Sequence, residues 1–174
     1  MLVAVAGVLA AVGCHGSGQG GAEEVRFTVT SPHFQNEGQL PADLTCKGKN
    51  VAPTLNWVGT PEGTQSFVVI VDDPEDQSGN SAFWLVCDIP ADATTVSSGV
   101  GVEGKNSSGK PGYGGPCPQN PNIDRIYRCR VIALGAMAGL PAGFTRKNLD
   151  DYLAKSADVL GRCETIAHSV PATE

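Results

Sequence analysis

Residues 66–71 (SFVVIV) form an unbroken run of apolar, largely β-branched side chains, and a second such run, AFWLVC, begins at Ala82. A strand with one face in water alternates apolar and polar residues. A run without that alternation belongs to a strand covered on both faces. The chain is therefore constrained to a sheet whose middle strands are buried from two sides. Twenty-two Gly and twelve Pro, against five Phe, three Tyr and two Trp, supply many turns between short strands. Further strands are predicted where Val25, Phe27 and Val29 alternate with Arg26, Thr28 and Thr30, over residues 54–58, and where Tyr127, Cys129 and Val131 alternate with Arg128 and Arg130 before Ile132-Ala133-Leu134. A helix is expected only late: Thr145 can N-cap it, Leu149, Tyr152, Leu153, Ala157 and Leu160 fall on one face, and Gly161 can close it. The predicted fold is mainly β: a two-sheet Greek-key β-sandwich with one C-terminal helix on an edge.

The chain has 174 residues, enough for one domain with a short appendage. Its net charge of -6, with no run of Lys or Arg, argues against nucleic acid or an anionic membrane surface as the main partner. Residues 1–14 (MLVAVAGVLAAVGC) are uncharged and mostly apolar up to Cys14, too short to span a bilayer as a helix but suited to a secretory leader. Ala11, Val12 and Gly13 before Cys14 resemble a bacterial lipobox, so Cys14 is the predicted lipid attachment site. An ordinary signal peptide cut between residues 16 and 22 is the alternative. Both make the protein exported, either as a membrane-anchored lipoprotein or as a periplasmic or extracellular one. Residues 15–24 then form a flexible Gly-rich tether, and residues 25–170 a single domain.

In an oxidising compartment some of Cys46, Cys87, Cys117, Cys129 and Cys163 are expected to pair, with the connectivity open. None has CxxC spacing, and neither a metal site nor a cofactor is expected.

Immediately after the first apolar run stands VDDPED, four acids in six residues. Side chains at the end of a buried strand sit where a rigid scaffold meets loops, which is where binding sites form. Asp73 and Glu75 flank Pro74, and in an extended segment residues i and i+2 point to the same side. Two carboxylates so placed can accept bonds from an ammonium or hydroxyl group. A solvated acidic turn held by Asx-type bonds is the simpler alternative. Residues 97–118 form a long irregular segment with seven Gly, a length usually associated with function or disorder.

VDDPED, then FWLVCDIPA, GYGGPCP and a basic-aromatic strand ending VIAL, together with NVAPTLNW at residues 50–57, resemble the phosphatidylethanolamine-binding protein family, and most closely its bacterial branch of Raf-kinase-inhibitor-like proteins. The likeness covers about residues 26–165 in order. It implies a two-sheet β-sandwich and a small pocket for an anion or a phosphorylated or lipid headgroup, built from a DPD-type motif, a histidine, a GxP segment and an HRY-type motif. Carried onto this chain, the pocket residues are Asp73, Pro74, Glu75, Phe83, Tyr113, Gly115, Pro116 and Arg125. Pro118 belongs to the same GxP region. Three positions depart from the pattern. Glu75 replaces the second Asp, Phe83 stands where a His is expected, and Arg125-Ile126-Tyr127 stands in place of HRY. Phe83 can neither donate to a phosphate oxygen nor change charge near neutrality, whereas Arg125 brings a permanent charge and a forked donor. Backbone amides of residues 112–115 are expected to add an anion-binding nest.

A non-catalytic binding protein is the leading expectation, with the membrane reached through the N-terminal lipid. A module that inhibits a protease or kinase partner through residues 97–118 is the alternative. An enzyme is not expected, because His15, His33 and His168 accompany no nucleophile motif and no GxSxG occurs. His33 and His168 read as surface residues, and Cys117 as a disulfide or buried thiol.

Overall fold

The strand β4 (Ser66–Asp72) is buried at every residue, as the unbroken apolar run predicts. In the computed structural model, which describes residues 26–76, 81–117 and 123–169, it lies between β5 (Trp84–Pro90) and β8 (Ile126–Leu134), antiparallel to both. These three strands form the middle of a large sheet ordered β2-β9-β8-β4-β5-β7, in which β2 (Gly38–Gln39), β7 (Val102–Glu103) and β9 (Val159–His168) complete the set. A smaller sheet, β1-β3-β6, is built from β1 (Thr28–Thr30), β3 (Leu55–Val58) and β6 (Thr95–Val96). Both edge strands of the large sheet are two residues long, which leaves little open edge for pairing with another chain.

The two buried faces of the central strands have different covers. Phe67, Val69, Val71, Trp84, Val86, Tyr127, Cys129 and Val131 face the small sheet, where the Trp57 ring centroid lies 4.9 Å from that of Phe67. Val68, Ile70, Leu85, Cys87, Ile132 and Leu134 face the other way, onto Phe144 and the helix α1 (Arg146–Lys155). Its Leu149, fully buried against them, contributes about 1.5–3 kcal/mol by removing its side chain from water. The helix therefore covers a face of the large sheet, not an edge as the sequence suggests.

Thr145 is the N-cap, as expected, and shares a reciprocal capping box with Asn148. The Thr145 hydroxyl accepts from Asn148 N, and the Asn148 side chain accepts from Thr145 N at 2.9 Å. The other end corrects the sequence reading. The helix stops at Lys155, Ser156 turns extended, and residues 159–168 form β9. Leu160 and Gly161 thus belong to a strand, and Leu160 is 42% exposed. Residues 159–168 find the free edge of β8 and pair with it from Leu134↔Val159 to Ile126↔His168. Tertiary pairing outweighs the helical spacing of Ala157 and Leu160. His168 is consequently the end of a strand and not part of a tail. Val25, the leader with Cys14, the tether and the residues after 169 lie outside the described residues.

Candidate functional site

The burial of β4 ends at Asp72, and Asp73 begins the turn beyond it. Asp73 N donates to Ser81 Oγ at 3.0 Å, and Asp73 Oδ1 accepts from Glu75 N at 2.8 Å, an Asx-type closure. Pro74 and Glu75 therefore lie in an exposed turn, so the expected alignment of Asp73 and Glu75 on one side of an extended segment does not occur. The Asp73 side chain is only 9% exposed, and its Oδ2 lies 3.5 Å from Arg125 Nη1. Arg125, just before β8, is half exposed. The contact is made by Nη1 of the guanidinium.

Tyr127 lies beside this pair. Burial, and then the Asp73 charge, push its phenol up to about 12, against the opposing influence of Arg125. It is a neutral hydroxyl throughout the physiological range. The Phe83 ring meets Tyr127 edge-on at 5.4 Å, and Phe83 also lines a cleft of about 390 Å³. Asn50, Asn106, Ser107, Ser108, Gly114 and Gly115 form further walls, and Cys46 and Cys117 the rim. None of these lining residues is charged. The charges of Asp73 and Arg125 act on Tyr127, the ring that packs against Phe83.

Close backbone packing shapes the glycine wall. Gly115 N donates to Asn50 Oδ1 at 2.7 Å, and a Cβ on Gly115 would stand 2.3 Å from the Leu44 carbonyl oxygen, closer than any real Cβ contact. Gly114 N donates to Phe83 O and Gly112 N to Gly104 O. The predicted anion nest is therefore not available, because three of the four amides in residues 112–115 already have acceptors. Asn106 braces the preceding loop: its Nδ2 donates to Gly112 O, and its Oδ1 accepts from Ser108 N, Ser108 Oγ and Lys110 N.

The other expected site residues serve as supports. Tyr113 Oη donates to Leu44 O at 2.5 Å, and its ring meets Trp84 edge-on at 6.2 Å. Burial raises its phenol well above the ordinary range. Pro116 is buried and its carbonyl accepts from Cys46 N, while Pro118 lies outside the described residues. Trp84 belongs to the core and sends its indole N–H to Glu103. A disulfide joins Cys46 to Cys117. The thiols of Cys87, Cys129 and Cys163 are each pushed up to about 12, chiefly by burial, which disfavours the thiolate a nucleophile needs.

Sequence reasoning missed the cluster next door. Asp72, 3% exposed, takes guanidinium contacts from Arg128, Arg130 and Arg146. Arg146 also donates to Ser81 O at 3.0 Å, so the network reaches the residue that holds Asp73 N. The alternation of Arg128 and Arg130 in β8 was visible in the sequence, whereas their partner 56 and 58 residues away was not.

Two sheets with a covering helix and a loop-walled cleft define a small β-sandwich protein. The phosphatidylethanolamine-binding protein family model matches residues 30–165, and the chain belongs to that family. It is 39% identical over 131 residues to a UPF0098 protein of Aquifex aeolicus, spanning 70% of this chain and 77% of that one. It is 34% identical over 137 residues to a Mycobacterium tuberculosis protein named "Putative lipoprotein LppC", spanning 75% of this chain and 67% of that one. The crystal structure of Escherichia coli YbcL, described as a member of the mammalian PEBP family, superposes with a TM-score of 0.75 at 28% identity, covering 85% of this chain and all of that one. Among the described residues no helix is long and apolar enough to cross a membrane.

Proposed function

We propose that the protein is an exported, lipid-anchored binding protein whose cleft takes a small anion or a phosphorylated headgroup and performs no chemistry on it. The observation that carries this reading is the meeting of Arg125 with Asp73 close to Tyr127, whose ring packs on Phe83, a wall of an uncharged cleft. Arg125 offers donors to phosphate oxygens. Asp73 can accept from an ammonium or hydroxyl group of the same ligand, and Phe83 supplies an apolar wall where the family has a histidine. Anchoring is supported by the lipobox-like stretch ending at Cys14 and by the lipoprotein name of the mycobacterial relative. The raised thiol pKa values fit a site without a nucleophile.

Calorimetric titration with phosphoethanolamine, inorganic phosphate and small carboxylates tests the reading. Saturable binding of at least the phosphorylated compounds is expected. Arg125→Ala should weaken it about 10- to 100-fold, the scale of one or two charge-assisted hydrogen bonds. A folded wild-type protein that binds none of these ligands would overturn it.

One observation favours a second reading, a protein-interaction module that inhibits a protease or kinase. The Asn106 bonds brace the loop while residues 107–111 remain exposed, as a rigid contact surface requires. A partner whose capture survives Arg125→Ala but not deletion of the loop tip would favour this reading over the first.

A further inference from the structure

His168 ends β9, and both nitrogens of its ring face carboxylates. Nδ1 lies 2.5 Å from Asp124 Oδ2, and Nε2 lies 3.2 Å from Glu37 Oε2. A neutral imidazole carries one N–H and one lone pair, so it can satisfy one carboxylate while turning a lone pair on the other. The imidazolium donates to both. The arrangement therefore favours the charged ring.

The residues beside this bridge control Arg125. Asp124 immediately precedes it in the chain. Ser169, the neighbour of His168, holds Arg125 by both backbone groups: Ser169 N donates to Arg125 O at 3.0 Å, and Arg125 N donates to Ser169 Oγ at 2.9 Å. On the far side, Glu37 is tied to β9 through its N–H to Ile166 O, and His168 O accepts from Leu40 N. Three segments distant in sequence are thus joined around one ring. β8 pairs with His168 through uncharged Ile126, and its first charged residue, Arg128, is taken by Asp72.

We propose that His168, bridging Asp124 and Glu37, is a proton-operated latch that fixes the segment carrying Arg125 and so holds its guanidinium over Asp73, making the cleft's affinity for a phosphorylated headgroup higher when the imidazole is protonated. The proposal rests on the reading of Asp73 and Arg125 as ligand-binding groups. Its sign follows from the two carboxylates. The bond to Asp124 and then that to Glu37 raise the His168 pKa above 6.5, with burial opposing them. The latch is fully closed below the ordinary histidine value and opens as pH rises through the raised one. An exported protein meets the pH of its surroundings, so this range is accessible to it.

The test uses the mature chain and glycerophosphoethanolamine, whose phosphodiester and ammonium charges stay constant between about pH 5.5 and 8.5, above the first group's pKa and below the second's. The His168 ring is titrated by NMR, and hydrogen exchange at the Arg125 and Ser169 amides, corrected for the intrinsic pH dependence of exchange, reports the latch without ligand. In the wild type, amide protection should fall with the ring's own midpoint, and affinity should fall roughly fivefold with it, the scale of a half-exposed ion pair. His168→Gln and, as a second variant, Asp124→Asn should show neither dependence. A ring midpoint at or below 6.5, amide protection that ignores pH, or an affinity that stays constant while protection titrates would each overturn the proposal. If protection follows the ring but the probe binds at no pH, the latch is present and the headgroup reading of the cleft fails.

Discussion

Asp72→Ala is expected to lower the free energy of unfolding by about 3–5 kcal/mol, the loss seen when one partner of a buried charge cluster is removed. Domains of this size are held by only about 5–15 kcal/mol in all, so the variant should be close to unfolding at ambient temperature. The reason lies in what remains. Asp72 is 3% exposed, and Arg128, Arg130 and Arg146 keep 26%, 19% and 16% of their side-chain surface. Without the carboxylate, three guanidiniums repel one another in a partly desolvated space. Among the described residues the buried Arg130 Nε has no hydrogen-bond partner even in the wild type, and burial already lowers the pKa of this guanidinium. Asp150, bound to Arg146 Nε, compensates only one of the three directly. Urea denaturation at neutral pH measures the change, with Asp151→Ala as the control. That control breaks an exposed i,i+4 pair with Lys147 and should leave the midpoint unmoved. An Asp72→Ala loss below about 1 kcal/mol would show that the cluster is not a net stabilising element. Because Arg146 also binds Ser81 O, and Ser81 Oγ takes the Asp73 amide, the variant should loosen the candidate site as well.

What the sequence disclosed and what it hid divide along physical lines. Residues 66–71 announced a strand covered on both faces because burial on two sides removes the polar half of the pattern, and β4 is buried throughout. Thr145 announced the helix start because a cap is local chemistry within three residues. The helix end was misread for the opposite reason. Val159 to His168 becomes a strand through the free edge of β8, and nothing within the segment encodes that edge. The site shows the same contrast. The fold brings Arg125 to 3.5 Å from Asp73, whereas the expected extended alignment of Asp73 with Glu75 gives way to a turn closed by an Asx bond. The anion nest failed because Asn50 and the Phe83 carbonyl, both distant in sequence, and the nearer Gly104 carbonyl occupy its amides. Asp72 was counted as one of four clustered acids. Its burial under three arginines separates it from them, and it emerged only when β4, β8 and α1 were brought together.

The disulfide leads to the second large effect. Replacing Cys46 and Cys117 together by Ala should cost about 4 kcal/mol, the loop-closure entropy of a cross-link spanning 71 residues, and should lower the melting temperature by roughly 10 °C for a chain of this length. The cost is not spread evenly over the molecule. Cys46 and Cys117 both line the cleft, and beside the link Cys46 N donates to Pro116 O. Removing it leaves the glycine wall held by hydrogen bonds alone, among them Gly115 N on Asn50, Tyr113 Oη on Leu44 and Cys46 N on Pro116 O. The wall then has freedom that a bound ligand must remove, so affinity should drop along with stability. Calorimetric melting and headgroup titration of the double variant, and of the wild type after reduction with dithiothreitol, measure both losses on the same protein. A fall of less than about 2 °C, with unchanged ligand binding, would show that the non-covalent bonds alone define the cleft. A bond on which the cleft depends in this way persists in an oxidising compartment and is lost in a reducing one, so the same experiment bears on the compartment in which the cleft holds its shape.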